Sequence, residues 1–200
     1  MASLLLLRHG QILANRRGLW HGSTDSALTW RGILQARRTA RHLARHHPGP
    51  SAIYSSPLAR CRQTAEQVGH RLDLQPLVCE DLREYAIGDW EGTPFQVLAS
   101  EHDFVGRTIA DPAFAPPGGE SLSQVAERIV AAIRQIHDQH ETDAQVLVVG
   151  HGAALAIALS SLIDSSPARW IDYHFANCSL TELVLSPSPY VNFFNSTQHL

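Results

Sequence analysis

The sequence predicts an α/β layered fold with a mostly parallel sheet. Three observations lead there. Short apolar runs such as Leu4 to Leu7 and Val146 to Val149 have the length and branching of buried strands. Between them lie longer stretches whose apolar residues recur at helical spacing. The two kinds alternate along the chain, and that alternation stacks helices over parallel strands.

The elements follow in order. Ser3 to Leu7 reads as a buried strand ending at Arg8-His9-Gly10. Gln11 to Leu28 is loop-like, with Gly18, Gly22 and several polar residues. Thr29 is placed to cap a helix running to about His47, with Ile33, Ala36, Ala40 and Leu43 on one face. Pro48-Gly49-Pro50 stops it. Ala52 to Ser55 is a second strand, and Pro57 suits the first turn of a helix through Leu58, Cys61, Ala65 and Val68. Leu77 to Cys79 is a third strand. Residues 81–119 are irregular and suggest a lid or insertion. Ser121-x-x-Gln124 is a capping box that opens the strongest helix, with Leu122, Val125, Ala126, Ile129, Ile133 and Ile136 in one stripe. Val146 to Val149 is the next strand and Ala153 to Leu162 the next helix. Leu180 to Leu185 and Tyr190 to Phe194 are the closing strands.

The chain has 200 residues, so residues 1–200 are expected to form one domain, with the insertion at about 85–120. Hydrophobic residues are 44% and charged residues 18%, which excludes a disordered chain or a coiled coil. Sixteen basic against nineteen acidic residues give a net charge of -3, which argues against nucleic acid held by bulk electrostatics. Cys61, Cys79 and Cys178 are too few for a disulfide framework and lack a C-x-x-C metal spacing. The opening lacks the basic region of a signal peptide, so a cytoplasmic location is expected. Ala144 to Ile163 has no formal charge over a membrane-span length, but Gly150-His151-Gly152 interrupts it. A strand, a tight turn and a helix explain it better, and no membrane partner is expected. The apolar tail Tyr190 to Phe194 is assigned either to the core or to a homodimer interface.

Two stretches share a format. Leu4 to Leu7 runs into Arg8-His9-Gly10, and Val146 to Val149 runs into Gly150-His151-Gly152. Each delivers a histidine to the C-terminal end of a strand, where ligands of open α/β sheets sit. Ala52 to Ser55 delivers Arg60 in the same way. Two arginines and two histidines converging on one volume suit a phosphoryl dianion, because guanidinium forks match phosphate oxygens. Backbone N–H groups after Gly10 and Gly152 are expected to add donors.

Arg8-His9-Gly10 with Asn15 resembles the opening motif of the histidine phosphatase superfamily, the branch that also holds cofactor-dependent phosphoglycerate mutases. Three further stretches resemble it in order. They are Ser55 to Arg60 with Gln63-Thr64-Ala65, Leu82-Arg83-Glu84 with Gly88-Asp89-Trp90-Glu91-Gly92, and Gly150-His151-Gly152. Leu28-Thr29-x-x-Gly32-x-x-Gln35-Ala36 and Pro117 to Ser121 are weaker matches. Arg-His-Gly alone carries nothing; four motifs in order carry a great deal.

The resemblance implies a three-layer αβα sandwich of the phosphoglycerate mutase-like kind. It also implies ping-pong phosphoryl transfer without cofactor or metal, on a small phosphorylated substrate. His9 attacks phosphorus and carries the phosphoryl group. Arg8, Arg60 and His151 hold its equatorial oxygens. Asn15, His21 and Gly152 line the substrate site. Glu84 protonates the leaving alkoxide and then takes a proton from the hydrolytic water, a double role that asks for a carboxyl able to hold a proton near neutrality. Gln11, His21 and Val97 depart from the family's usual residues, and their loops govern substrate choice.

Alone, His9 would read as a core histidine, and Arg60 and Glu84 as solvated side chains. His137 and His140 read as surface residues. Trp20, Trp30, Trp90 and Trp170 read as packing residues, with Trp20 and Trp90 placed to flank the pocket. The Arg37, Arg38, Arg41 and Arg45 group reads as a solvated helix face. Phosphomonoester hydrolysis is the preferred function; a phosphoglycerate mutase is the alternative, and a non-catalytic phosphate-binding protein is a third reading.

Overall fold

A computed structural model describes residues 3–45, 49–141 and 143–200. Six strands form one sheet: β1 (Ser3–Arg8), β2 (Ala52–Ser55), β3 (Leu77–Val78), β4 (Gln145–Gly150), β5 (Leu180–Val184) and β6 (Tyr190–Ser196). Their spatial order is β3-β2-β4-β1-β5-β6. The β3–β2, β2–β4 and β4–β1 pairs are parallel, while β5 runs antiparallel to β1 and β6. The sheet is therefore mostly parallel, as expected, with a mixed edge.

Side chains alternate across the central strands and so build two cores. Leu4, Leu6, Val146 and Val148 face α6 (Leu122–Asp138) and α7 (Gly152–Ile163). Leu5, Leu7, Leu147, Val149 and Ile53 face α2 (Trp30–Leu43) and α3 (Ala59–Leu72). Helices on both faces complete the three-layer sandwich. The caps follow the sequence: Thr29 Oγ1 accepts from Gly32 N–H at 3.1 Å. Ser121 and Gln124 bond each other's backbone N–H at 2.8 and 3.2 Å. The stripe of α6 is buried throughout.

Four expectations need correction. The segment 11–28 contains a short helix, α1 (Leu13–Arg17), ended by Gly18 in a left-handed conformation. It is too short to show a period. The segment 81–119 is not irregular: it holds α4 (Phe95–Ser100) and α5 (Phe104–Ala110), and buried Leu98 and Phe104 tie it to the main core. Trp30 is no packing residue, being 69% exposed. Helix α2 ends at Leu43, short of the expected His47; His46, His47 and Pro48 lie outside the described residues.

Residues 144–163 resolve into β4, a turn and α7, and no helix among the described residues is long and apolar enough to cross a membrane. On the edge strand β6, Phe194 packs edge-on against Tyr173 and Phe175, so part of the tail covers its own chain.

Candidate active site

Strands β1 and β4 pair in register with Arg8 opposite Gly150, so the residues that follow each strand emerge side by side. The rings of His9 and His151 lie 5.3 Å apart, edge to face. Thus residues 142 positions apart in sequence meet at one end of the sheet. Both side chains are buried, as is Arg60 from the start of α3.

Each ring has its proton placed by its neighbours. His9 Nδ1 lies 2.7 Å from the Gly10 carbonyl oxygen, which can only accept, so Nδ1 carries the proton and Nε2 keeps its lone pair. Burial, then Arg60 and Arg8, hold His9 well below the usual histidine range. His151 Nδ1 accepts from Arg60 Nε at 3.2 Å, so its Nε2 carries the proton and donates to Ser56 Oγ at 2.7 Å. Burial, then Arg60, also hold His151 well below the usual histidine range. Two neutral imidazoles therefore sit near the guanidinium of Arg60, and His151 is bonded to it directly.

The structure brings together all eight residues expected at the site, but in two ranks. A cavity of about 260 Å³ is lined by Arg8, His9, Asn15, His21, Glu84 and Gly152. Arg60 and His151 stand behind His9, fully buried. Arg60 already donates to the carbonyls of Thr24 (2.8 Å), His21 (3.0 Å) and Gly22 (2.8 Å) as well as to His151. Four of its five N–H groups are thus engaged within the protein, which leaves one for an anion instead of a two-pronged fork.

The backbone donors also differ from expectation. Gly10 N–H bonds Thr64, Gln11 N–H bonds Gln35, and Ile12 N–H bonds Asn15 Oδ1. The N–H groups of Ala153 and Ala154, at the start of α7, donate to Glu84 at 3.3 and 2.8 Å, and Tyr85 N–H adds a third bond at 3.0 Å. Those N–H groups are satisfied by side chains in place of a ligand, as backbone groups near a buried turn must be. Glu84 is fixed by them at the pocket floor. Gly152 leaves room for Arg8, because a Cβ would lie 3.2 Å from the Arg8 guanidinium carbon and would press that side chain aside by a few tenths of an ångström. Arg8 Nη1 donates to the Phe175 carbonyl. Burial pulls the Arg8 pKa down, and nearby Glu84 opposes that shift.

Asn15 Oδ1 accepts from Ile12 N–H and from Asn177 Nδ2, both at 3.1 Å, and Asn177 also donates to the His9 carbonyl. With its oxygen doubly held, Asn15 presents its NH₂ end as a donor. His21 lines the cavity, and its pKa is lowered by burial and then by Arg60.

Sequence reasoning missed several supporting residues. In the sequence Glu91 shows only as a member of the Gly88 to Gly92 motif. Its carboxylate accepts from Gly22 N–H (2.8 Å), Ser23 N–H (3.0 Å), Thr24 N–H (3.4 Å) and the Thr24 hydroxyl (2.9 Å), and so ties down the loop that holds Arg60. Ser56 and Thr64, inside the motif that holds Arg60 but given no role there, bond His151 and Gly10 N–H, while Asn177, which bonds the His9 carbonyl, is a common residue with no local signal. Trp170 lines the cavity, whereas Trp90 packs away from it on His102, Phe104 and Phe114. His137 bonds Asp138 and His140 packs on Tyr54.

A family model of the histidine phosphatase superfamily (branch 1) matches residues 4–192. A glucosyl-3-phosphoglycerate phosphatase of Mycobacterium tuberculosis is 35% identical over 178 residues, covering 84% of this chain and 78% of its own. A probable phosphoglycerate mutase of Yersinia pestis is 30% identical over 193 residues, covering 96% and 88%. Among solved structures, phosphoserine phosphatase from Entamoeba histolytica in complex with 3-phosphoglyceric acid superposes with a TM-score of 0.89, at 28% identity over the whole of both chains.

Proposed function

The chain belongs to the histidine phosphatase superfamily, and on that premise we propose that it hydrolyses a small phosphomonoester through a phosphohistidine formed on His9 Nε2. The observation that carries this reading is the His9 tautomer. The Gly10 carbonyl fixes the proton on Nδ1, and Nε2 is left with its lone pair in a ring that burial keeps neutral.

In the first half-reaction the Nε2 lone pair attacks phosphorus, and the P–O ester bond breaks. Glu84, on the same pocket floor, gives its proton to the departing oxygen. In the second, water attacks the phosphorus of the N–P bond. Glu84 takes a proton from that water, His9 leaves as a neutral ring, and inorganic phosphate departs. Arg8, the Asn15 amide and the last N–H of Arg60 supply donors to the equatorial oxygens; such preset donors are worth about 3–4 kcal/mol each in acyl transfer. Arg60 also acts from behind, by keeping His9 neutral, and His151 holds Arg60 in place through its Nε. His21 and Gly152 shape the mouth. We take residues 1–200 as one domain in which the 85–120 segment forms a wall of the pocket through Phe95, a reading supported by Leu98 and Phe104 in the shared core.

The test is rapid quench with a substrate labelled at phosphorus. An acid-labile, base-stable label on the wild-type chain, absent from His9→Ala while that variant keeps its circular dichroism spectrum, is the expected result. Phosphate release by His9→Ala at the wild-type rate would refute it. Phosphoserine and glucosyl-3-phosphoglycerate, named for the relatives, form the first substrate panel. The 30% identical mutase relative supports one second reading, phosphoryl return to another hydroxyl. Net conversion of 3-phosphoglycerate to 2-phosphoglycerate without phosphate release, given a trace of bisphosphoglycerate, would select it.

A further inference from the structure

The cavity has two characters. Its phosphoryl end carries Arg8, Asn15 and Glu84, whereas the remaining wall is built from Ile12, Leu19, Trp20, Phe95, Trp170 and Tyr173, closed by small alanines of α7. Among the described residues that line it, Arg8 is the sole arginine, and the chain contains no lysine at all. Any second negative charge on a substrate would have to share Arg8 with the phosphoryl group.

Two polar handles of that wall are already engaged, while a third, the buried Trp170 Nε1–H, has no partner among the described residues and offers a neutral donor but no charge. Trp20 Nε1 donates to the Tyr85 carbonyl at 3.1 Å, and the Tyr173 hydroxyl donates to Asp164 at 2.9 Å. His21 and His174 remain, and burial together with nearby arginines lowers both, which makes them neutral at neutral pH. The rings are locked to one another: Trp20 stacks on Phe95 at 6.0 Å and meets Phe104 and Trp170 edge-on at 5.4 and 6.3 Å. Such a wall does not reshape itself around a polar group. A carboxylate placed against it would lose its water and gain no cation, which is costly. An aromatic or aliphatic group placed there would shed its own apolar hydration and stack.

We propose that the leaving group this pocket selects is a small, uncharged, apolar alcohol of about benzyl size, and that phosphomonoesters bearing a carboxylate beside the ester are discriminated against. The inference rests on the phosphatase reading above and narrows its substrate class. The volume bears on size: about 260 Å³ lies below the roughly 300–1,000 Å³ of pockets that take drug-sized ligands, so a phosphoryl group and one ring fill it.

The test uses two matched comparisons on the wild-type chain. The first sets 3-phosphoglycerate against its methyl ester, which differ chiefly by one charge. The second sets phosphoserine against benzyl phosphate. The methyl ester and benzyl phosphate should each show kcat/KM at least tenfold above their charged counterparts, with most of the difference in KM. Ile171→Arg places a cation at the exposed rim and should raise the acid-to-ester ratio at least threefold. Equal or better turnover of the free acids overturns the inference, as does an unmoved ratio in the arginine variant. Labelled His9 with a preference for the acids would sink this inference alone. The absence of both label and phosphate release from every substrate would sink the phosphatase reading with it.

Discussion

Replacing Glu91 with alanine probes how the site is held rather than how it reacts. The carboxylate accepts four hydrogen bonds from residues 22–24 and a fifth from Ile87 N–H at 3.3 Å. Ser23 and Thr24 are exposed, so water replaces their lost partner. Gly22 and Ile87 are buried and cannot be rescued so easily. Two stranded buried N–H groups, at roughly 1–2 kcal/mol each, predict a loss of about 2–4 kcal/mol. For a domain of this size that lowers Tm by about 4–16 °C. The carbonyls of His21, Gly22 and Thr24 are also the acceptors that fix the Arg60 guanidinium, so loosening the loop releases the cation behind His9. The kcat/KM for a small phosphomonoester should fall about ten- to hundredfold at 25 °C, where the variant is still folded. Glu91→Gln keeps the shape and one carbonyl acceptor, and should lie between. Glu91→Ala with Tm within 2 °C of wild type, on the general scale of surface substitutions, and unchanged kcat/KM would refute the reasoning.

Three further outcomes are expected. Glu84→Gln should slow alkyl phosphates about a hundredfold or more and aryl phosphates far less, because only poor leaving groups need its proton; steady-state rates across a leaving-group series check it. Acidification should destabilise the fold. His9 and His151 stay neutral in the native state below the pH, about 6.5, at which the unfolded chain takes up protons, so the unfolded state binds more protons there. Stability then falls as pH drops below about 6.5, by up to about 1.4 kcal/mol per pH unit for each ring; thermal melts from pH 7 to 5 read it, and His151→Gln should make the fall shallower. Gly10→Ala would place a Cβ 2.6 Å from the Gly32 carbonyl oxygen, backbone against backbone, so β1 or α2 must shift. A cost of about 1–3 kcal/mol, or about 2–12 °C in Tm, should follow in differential scanning.

Much of this architecture is legible in the sequence. Thr29 and Ser121 announced their helices because a capping side chain acts locally. The α6 stripe announced its buried face because seventeen residues contain several periods. Helices α1, α4 and α5, of five to seven residues, contain too few turns to show one, and they are held by tertiary contacts such as buried Leu98 and Phe104. At the site, Arg8, His9, Arg60, Glu84 and His151 stood out through motifs beside glycines or strand ends. What Arg60 does could not be read, because its acceptors are backbone carbonyls of a loop near residue 22, and any residue supplies a carbonyl. Glu91 and Asn177 were hidden for the converse reason: their side chains serve distant backbone. Trp170 looked like core filler because sequence does not tell a wall of a cavity from the inside of a core.

The pairing of β1 with β4 sets the order in which this molecule can become competent. A nascent chain carries the half built around residue 9 well before the other half, which arrives only when residue 151 has left the ribosome. Until then the first strand has no neighbour on that side, and its exposed leucines must be shielded by transient collapse or by a chaperone. A premature stop anywhere before β4 therefore yields a polypeptide that can neither complete its sheet nor bring its two imidazoles together.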